Sequence, residues 1–462
     1  MNGTTEVRRR GLLAVLAGNM LIDALEVSTL VVAMPSIARE LHLGLTAVQW
    51  TMSAFALGFG GLLLFGTRLV ELLGRRRVYL AGLLLFALAS LAAGIATDPA
   101  LLAATRFVKG FCVALTAPTG LAIISTSFEE GPVRDRAVSV YAFFGAIGFT
   151  AGLVLSGVLT TVSWRWAVVF PAPAVLVLFV LGLRLIPAGR PAPGPRSFDA
   201  AGAVTFAGAL SALVGAIVAT GPAWRGAALV VFAVLLGSFL AVERRAARPL
   251  LRMAAVANGP LIRSALCGAA FNGAYLGLLF LVTFQLQDGH HWSPLRTALA
   301  FLPASVPLAL TSLSAGRMVR RFGGPRLIVA GTLLAFLGYL VYPRGRLPGG
   351  YAVDVLPTLL LVGAGFVLAF AALNMQAASG VPAERRPMAG AAFQTAVQTG
   401  AAVAVSTVAV LAARSGVTSG SALLFVLALS ALGLLTALTG VLPRPGVLRA
   451  RVSEAGGYEA DA

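Results

Sequence analysis

Fourteen apolar stretches, each about as long as a membrane-crossing helix, occupy almost the whole chain. A hydrocarbon core about 30 Å thick is crossed by about 20 apolar residues in a helix. The sequence is 58% hydrophobic and 11% charged, whereas soluble domains carry about 25% charged residues. The chain is therefore predicted to be an all-α, polytopic membrane protein. The predicted spans are 11–34, 48–68, 78–96, 102–125, 137–160, 167–187, 200–220, 226–242, 261–285, 297–315, 327–342, 356–376, 390–413 and 422–442.

The net charge of +18 is distributed unevenly among the predicted loops. With the N-terminus in the cytoplasm, the arginine clusters at 8–10, 75–77, 320–321 and 385–386 all fall on the cytoplasmic side. Basic residues are enriched in cytoplasmic loops, so this pattern predicts that both termini are cytoplasmic and that the number of spans is even. We interpret these arginines as topology signals and contacts with anionic lipid headgroups rather than as a nucleic-acid surface.

The sequence also excludes several enzyme classes. A phosphate-binding loop needs a Lys followed by Ser or Thr, but the single lysine, Lys109, precedes Gly110. The three histidines do not have the spacing of a zinc protease helix, and no Gly-x-Ser-x-Gly nucleophile motif occurs. Cys112 and Cys267 lie in different predicted spans and indicate neither a disulfide framework nor a metal site. We therefore expect a non-enzymatic protein without a cofactor or a bound metal.

Two predicted spans contain ionisable side chains. The first span contains Asp23 and Glu26, and the fourth contains Arg106 and Lys109. Charged groups at membrane depth are costly and commonly serve the transport of ions or substrates. At 1.5 Å per residue, Glu26 and Lys109 each lie about 12 Å from the outer ends of their spans. We predict that Glu26 exchanges a proton and that Lys109 or Arg106 sets how tightly that proton is held. The alternative is a static ion pair that joins two helices.

Asp23 lies one helical turn before Glu26, so the two carboxylates share a face of the helix. Two negative charges this close repel each other, which favours protonation of one of them. Three roles are compatible with this position: a second proton site, a substrate contact, and the ion-pair partner of Arg106. We favour the pair with Arg106.

An internal repeat indicates two similar halves. Residues 67–74, after the second span, match residues 316–323, after the tenth, in length, basic character and position. Between the halves, a stretch at 187–196 is rich in Pro and Gly and marks a boundary. Paired halves around a central cavity are a known carrier architecture. We predict an N-terminal six-helix bundle at 1–186, a linker with two inserted helices at 187–258, a C-terminal six-helix bundle at 259–442 and a cytoplasmic tail at 443–462.

Three motifs resemble those of a known family. Residues 68–77, Arg-Leu-Val-Glu-Leu-Leu-Gly-Arg-Arg-Arg, resemble the Gly-x-Leu-x-Asp-x-x-Gly-Arg-Arg loop of the major facilitator superfamily, with Glu71 in place of Asp. Residues 25–35 resemble the Leu-Asp-x-Thr-x-x-x-x-Ala-Leu-Pro motif of its fourteen-span drug:proton antiporter branch, with Glu26 at the acid position. Residues 106–110 resemble the Arg-x-x-Gln-Gly motif of the fourth span, with Lys109 in place of Gln. The resemblance extends over nearly the whole chain.

The resemblance implies two six-helix bundles separated by two extra helices. It also implies proton-coupled efflux of lipophilic drugs or endogenous metabolites across a bacterial plasma membrane. The expected partners are a small-molecule substrate, protons and membrane lipids, without nucleic acid, and the expected state is a monomer. The loop after the second span is implied to latch its bundle when the carrier faces outward, although its arginines can also serve topology alone. The latch residues are Arg68, Glu71, Gly74, Arg75 and Arg76.

The remaining candidates concern packing and the substrate cavity. The fifth span has nearly one glycine per turn, which predicts close helix packing, but it lacks the Pro of the branch's Gly-Pro-x-x-Gly-Gly motif. The direction of transport therefore stays open, and Lys109 is better suited to neutral or anionic substrates than to cationic ones. The polar cavity candidates can equally form interhelical hydrogen bonds. The glycines are Gly145, Gly148, Gly152 and Gly157, and the cavity candidates are Asn272, Tyr275, Asn374, Gln376, Gln394 and Gln398.

Two classes of function remain open. The first is a secondary carrier, either a proton-coupled exporter or a flippase or uniporter for a lipid precursor or metabolite. The second is a non-transporting sensor or assembly partner built on a carrier scaffold, because fold alone does not decide function. The intramembrane charges favour the carrier, whereas the incomplete motif in the fifth span favours the sensor.

Overall fold

The computed structural model describes residues 3–188, 200–245, 258–343, 349–382, 385–417 and 420–441. These residues are helical or irregular, and none of those described forms a strand. Within these ranges, thirteen helices are long and apolar enough to cross a membrane, or 14 if a bent pair of shorter helices is counted as one span. The predicted all-α, polytopic fold is confirmed. The Pro- and Gly-rich linker beyond residue 188 and the predicted tail at 443–462 lie outside the described residues.

We number the spanning helices in chain order. The bent pair, α10, has an angle of 51° between its two parts. The helices are α1 (Glu6–Glu40), α2 (Leu45–Leu73), α3 (Arg75–Gly94), α4 (Pro99–Ser127), α5 (Pro132–Thr160), α6 (Trp164–Leu185), α7 (Ala200–Val218), α8 (Pro222–Arg245), α9 (Gly259–Gly289), α10 (Pro294–Ala300 with Leu302–Phe322), α11 (Gly324–Val341), α12 (Tyr351–Ala377), α13 (Arg386–Ser415) and α14 (Gly420–Leu438).

Most helices extend beyond the apolar stretches from which they were predicted. The first begins at Glu6 and continues past Pro35 to Glu40, although the apolar pattern covers only residues 11–34. Hydropathy detects the part of a helix that is buried in lipid, whereas the backbone hydrogen bonds continue into the polar headgroup region. The bend in α10 was not predicted from its apolar pattern. It falls at Phe301, close to Pro303, whose ring removes a backbone donor and disfavours a straight helix.

The helices pack in two groups with α7 and α8 at their side. In the first group α1 lies along α5, and α4 packs against both α2 and α3. In the second group α9 contacts α13 and α14, and α12 contacts α10 and α11. The inserted pair α7 and α8 pack on each other, and α7 also contacts α2 and α13. The inserted helices therefore lie beside the seam where the two groups meet. The residue boundaries of the domains remain a prediction.

The two groups are joined at the ends of their helices that lie on the side of Glu40, the last residue of α1, which is the outer side in the orientation predicted from the arginine pattern. Gln287 Nε2 of α9 donates a hydrogen bond to the carbonyl oxygen of Val32 in α1, over 2.8 Å. Next to it, Arg39 Nη1 lies 2.7 Å from Asp288 Oδ1. At Gly157 of α5, a Cβ atom would lie 2.6 Å from the side chain of Ala298 in α10. These contacts close the seam between the two groups on this side.

The internal repeat has the same backbone conformation in both halves. Gly74, between α2 and α3, has φ 85° and ψ 147°, and Gly323, between α10 and α11, has φ 84° and ψ 132°. A side chain destabilises this combination of positive φ and extended ψ, so glycine is favoured at both turns. The repeat in sequence therefore reflects one helix–turn–helix geometry that occurs twice.

We expect Gly323→Ala to destabilise the protein by about 1–3 kcal/mol, because alanine must adopt this strained conformation. A Cβ atom at Gly323 would meet no atom within 4 Å, so the effect reports backbone strain alone. The control is Gly324→Ala, one residue later in regular helix, where the closest atom to a Cβ would be 3.8 Å away. Chemical denaturation of both variants in detergent measures the difference. Equal midpoints would show that the turn adopts another conformation.

Candidate functional site

A buried ion cluster joins α1 to α4. The side chains of Glu26 and Lys109 have no exposed surface, and that of Arg106 is 1% exposed. Arg106 Nη1 donates to Oε1 of Glu26, and Lys109 Nζ lies 2.6 Å from the same oxygen. The other carboxylate oxygen of Glu26 has no hydrogen-bond partner among the described residues. One carboxylate is therefore held between two cations.

Backbone carbonyls and aromatic rings surround the two cations of this cluster. Arg106 Nε donates to the carbonyl oxygen of Thr51 in α2, over 2.8 Å, and its guanidinium lies 4.5 Å from the ring centre of Phe55. Lys109 Nζ lies 5.0 Å from the ring centre of Phe86 and 3.4 Å from the carbonyl oxygen of Val168. Carbonyl dipoles and aromatic faces partly replace the water that these cations lose on burial.

Asp23 is separate from the ion cluster. Its side chain is 3% exposed, and its Oδ2 accepts a hydrogen bond from Asn19 Nδ2 over 2.8 Å and lies 2.9 Å from Thr116 Oγ1. The prediction that Asp23 forms an ion pair with Arg106 is therefore wrong. The backbone of Arg106 lies ten residues, or about 15 Å, along α4 from that of Thr116, and its side chain reaches Glu26 rather than Asp23.

The hydrogen bonds around Asp23 fit a protonated carboxyl group. The hydroxyl of Thr116 lies 3.0 Å from the carbonyl oxygen of Cys112 as well as close to Asp23. A hydroxyl has one proton, so it can donate to only one of these oxygens. When it donates to the carbonyl, a protonated Asp23 can donate to the hydroxyl oxygen. An ionised carboxylate without a cation is costly to bury, and the two partners of Asp23 among the described residues, Asn19 and Thr116, are uncharged.

A small cavity of about 20 Å³ lies beside the ion cluster, between the two groups of helices. In this conformation it has room for about one water molecule, so it must widen to admit a larger ligand. Arg106 lines it, which connects the buried charges to the space at the seam. Of the predicted cavity residues, Gln398 also lines it and is 5% exposed. The other lining residues are apolar and come from α1, α2, α9 and α13: Val27, Met52, Phe55, Ala56, Leu276, Ala401 and Val405.

Two further predicted cavity residues lie on α9 near this space. Tyr275, adjacent to the lining residue Leu276, has its ring centre 4.5 Å from that of Phe366 and 6.0 Å from that of Phe149. Asn272 donates a long hydrogen bond of 3.4 Å to the carbonyl oxygen of Val397 in α13, which is the alternative role that the sequence left open.

The other predicted cavity residues are not brought together. Asn374 is exposed and donates to the carbonyl oxygen of Phe370 in its own helix, over 3.0 Å. Gln394 is half-buried, one turn of α13 before Gln398. Gln376 lines a different cavity, near the inner ends of α9 and α14, together with Arg263. A shared location for all six residues is therefore not what the structure shows.

The predicted latch residues form one bond within α2 and two bonds that join α3 to α4 and to α6. Arg68 Nη1 donates to Glu71 Oε2 over 2.8 Å. After the turn at Gly74, Arg75 donates to Thr126 Oγ1 of α4 over 2.9 Å. Arg76 donates to the carbonyl oxygen of Leu183 in α6 over 2.6 Å. Whether these bonds act as a latch remains a prediction.

The four glycines of α5 lie where other helices approach closely. A Cβ atom at Gly148 would lie 2.5 Å from the carbonyl oxygen of Leu21, and one at Gly152 would lie 2.5 Å from that of Leu25. Gly145 faces Met20 in the same way, while Gly157 faces α10. Small residues allow such close packing. The glycines therefore hold α1, the helix with both carboxylates, directly against α5.

Sequence reasoning missed the two partners of Asp23 and one further polar cluster. Asn19 lies one turn before Asp23 in an otherwise apolar stretch, so helical spacing alone could have identified it. Thr116 had no comparable signal, because threonines are common in this chain's spans. At the seam, Gln49 Oε1 accepts hydrogen bonds from Ser53 over 2.5 Å and from Ser406 over 2.8 Å, which joins α2 to α13.

Residues 16–405 match the family model of the Major Facilitator Superfamily. The chain is 35% identical over 406 residues to the puromycin resistance protein pur8 of Streptomyces alboniger, covering 86% of this chain and 80% of that protein. It is 32% identical over 379 residues to the multidrug resistance protein Stp of Mycobacterium tuberculosis, covering 80% and 68%. A solved POT family transporter in complex with a thioalcohol-conjugated peptide has the same fold, with a TM-score of 0.68, 14% identity and coverage of 93% and 95%.

Proposed function

Since the chain belongs to the Major Facilitator Superfamily, we propose that it exports lipophilic small molecules in exchange for protons. The protein is a multi-pass membrane transporter rather than an enzyme. The names of two relatives describe resistance to puromycin and to multiple drugs, which supports efflux as the direction of transport. We further propose that it acts as a monomer in the bacterial plasma membrane, in contact with its lipids and with both termini in the cytoplasm.

The observation that carries proton coupling is the buried carboxyl of Asp23 with its uncharged partners. The sequence favoured Glu26 as the group that exchanges a proton. In the structure Glu26 contacts two cations, whereas Asp23 contacts an amide and a hydroxyl. We therefore propose that Asp23 exchanges the proton and that Glu26, Arg106 and Lys109 transmit its effect to the cavity.

The path from the proton to the substrate runs along α1. Asp23 and Glu26 are one turn apart on this helix, and Glu26 is bonded to Arg106, which lines the cavity. At its outer end α1 also contacts α9 through Val32 and Gln287. A shift of α1 would therefore change the environment of Asp23, the ion cluster and the outer closure together, and this linkage is what alternating access requires.

Flux measurements in proteoliposomes test this function. Purified protein is reconstituted and supplied with a panel of anionic, neutral and cationic aromatic dyes and antibiotics, with and without an imposed pH gradient. We expect at least one compound to accumulate against its concentration gradient, and we expect an uncoupler that collapses the pH gradient to abolish this accumulation. Downhill flux at a rate that does not depend on the pH gradient would instead indicate a uniporter or flippase. Absence of any flux would favour the sensor.

A further inference from the structure

We propose that the substrate is an aromatic amphiphile with an anionic group, a carboxylate or a phenolate, that binds to Arg106 in the central cavity. This inference rests on the proposed transport function and names the substrate class of the same site.

The ion cluster carries a net positive charge. Glu26 contributes one negative charge, and Arg106 and Lys109 contribute two positive charges within contact distance of it. The surplus comes from Lys109, which stands where the motif that this segment resembles has a neutral Gln. A buried charge without a counter-charge is costly. An anionic ligand would supply the missing counter-charge.

Asp23 does not neutralise the surplus positive charge of the cluster through contact. Its oxygens contact Asn19 and Thr116, and none of the ion pairs formed by the described residues includes it. Because Asp23 and Arg106 have separate partners, the proton and the anion occupy different sites. Exchange between them then depends on movement of α1 rather than on competition for one group.

The lining of the cavity also favours an anionic ligand. Among the described residues that line it, Arg106 is the charged one and no carboxylate is present. A permanent cation in this space would meet a guanidinium whose acid partner, Glu26, is shared with Lys109. Arg106 Nη2 makes only a long contact of 3.4 Å, to the carbonyl oxygen of Glu26. This nitrogen retains donor capacity for an incoming carboxylate, with which arginine forms strong, charge-assisted bonds.

The walls of the cavity determine the shape of the part of the ligand that carries no charge. The cavity walls include Phe55, Met52 and Leu276, and Tyr275 beside Leu276 stacks in an aromatic group with Phe366. Such walls bind a flat apolar body, and the amide of Gln398 adds a neutral polar contact. An aromatic body with a single anionic substituent satisfies both the walls and the surplus charge.

A matched set of compounds tests the proposal. Naphthalene, biphenyl and anthracene scaffolds, each as a carboxylic acid, a methyl ester and a primary amine, are titrated against the purified protein by calorimetry. We expect at least one acid to bind about tenfold or more tightly than its ester, because a charge-assisted hydrogen bond is gained, and its amine to bind most weakly. Equal binding of the three forms, tighter binding of the amine or no binding of any acid would overturn the proposal.

Substitutions at Lys109 test whether its charge causes the preference for the acid over the ester. We expect Lys109→Gln to reduce the ratio of acid to ester affinity to about one, and Lys109→Arg, which keeps the charge, to retain it. An unchanged ratio in Lys109→Gln would contradict the assignment of the surplus charge. If a variant does not fold, the ratios of the unmodified protein still decide the proposal.

Transport of the same compounds separates the two claims. An acid that binds but is never transported would contradict the proposed transport function and leave supported only the class of ligand that the cavity binds. Preferential transport of the amine would overturn the substrate class and leave the transport function supported.

Discussion

Asp23→Asn is expected to abolish proton-driven accumulation of substrate while substrate binding stays within about twofold of the unmodified protein. Asn has the shape of a protonated Asp and can keep the hydrogen bonds with Asn19 and Thr116, but it cannot release a proton. Arg106 and the cavity that it lines do not contact Asp23. Accumulation in proteoliposomes with an imposed pH gradient and equilibrium binding in detergent measure the two effects separately.

The control for this variant is Glu130→Gln, which removes a carboxylate from the surface ion pair with Arg134 at the inner end of α5. We expect it to accumulate substrate at the rate of the unmodified protein. A second comparison uses downhill flux without a pH gradient, which Asp23→Asn should retain. Normal pH-driven accumulation by Asp23→Asn would exclude this carboxyl as the exchanging group. If Asp23→Asn also lost substrate binding, Asp23 would be a substrate contact instead.

Glu26→Gln is expected to destabilise the folded protein by about 3–5 kcal/mol, because it leaves two buried cations without a carboxylate. The side chains of Arg106 and Lys109 have essentially no exposed surface, so solvent cannot replace the lost charge. Chemical denaturation in detergent measures the loss, and we expect drug efflux to disappear with it.

A double-mutant cycle provides the control for Glu26→Gln. Adding Lys109→Gln removes one of the two stranded cations, so the double variant should be more stable than Glu26→Gln alone. The two stability changes should therefore be strongly non-additive, as for residues in direct contact. Additive changes, or a Glu26→Gln protein as stable as the unmodified one, would show that the cluster does not depend on an ionised Glu26.

Sequence reasoning reached the ionisable residues of the site but not all of their pairing. Charges in apolar spans are visible in the sequence because each one costs free energy in the membrane. Which carboxylate meets which cation depends on the relative depth of two antiparallel helices, and the estimate from span ends placed Glu26 and Lys109 correctly level with each other. The same estimate could not decide the partner of Asp23, because neutral partners such as Thr116 carry no distinctive pattern.

The polar cavity candidates show a second limit of the sequence. Gln398 and Gln376 both look like polar residues in apolar helices, yet they line different cavities. Gln376 is the second-to-last residue of α12, whereas Gln398 lies twelve residues after the start of α13, so the two lie at different depths. Which space each side chain lines is set by packing against several other helices and not by local periodicity. By contrast, the turn at Gly74 and its repeat at Gly323 were visible in the sequence, because the backbone conformation itself selects glycine.

Substrate-driven proton movement in proteoliposomes tests most directly whether the buried carboxyl of α1 couples protons to export. Vesicles that contain a trapped pH-sensitive dye are given a substrate gradient without an initial pH gradient. The unmodified protein should move protons opposite to the substrate, and Asp23→Asn should move the substrate without any change in internal pH. Proton movement by Asp23→Asn at the rate of the unmodified protein would contradict the account.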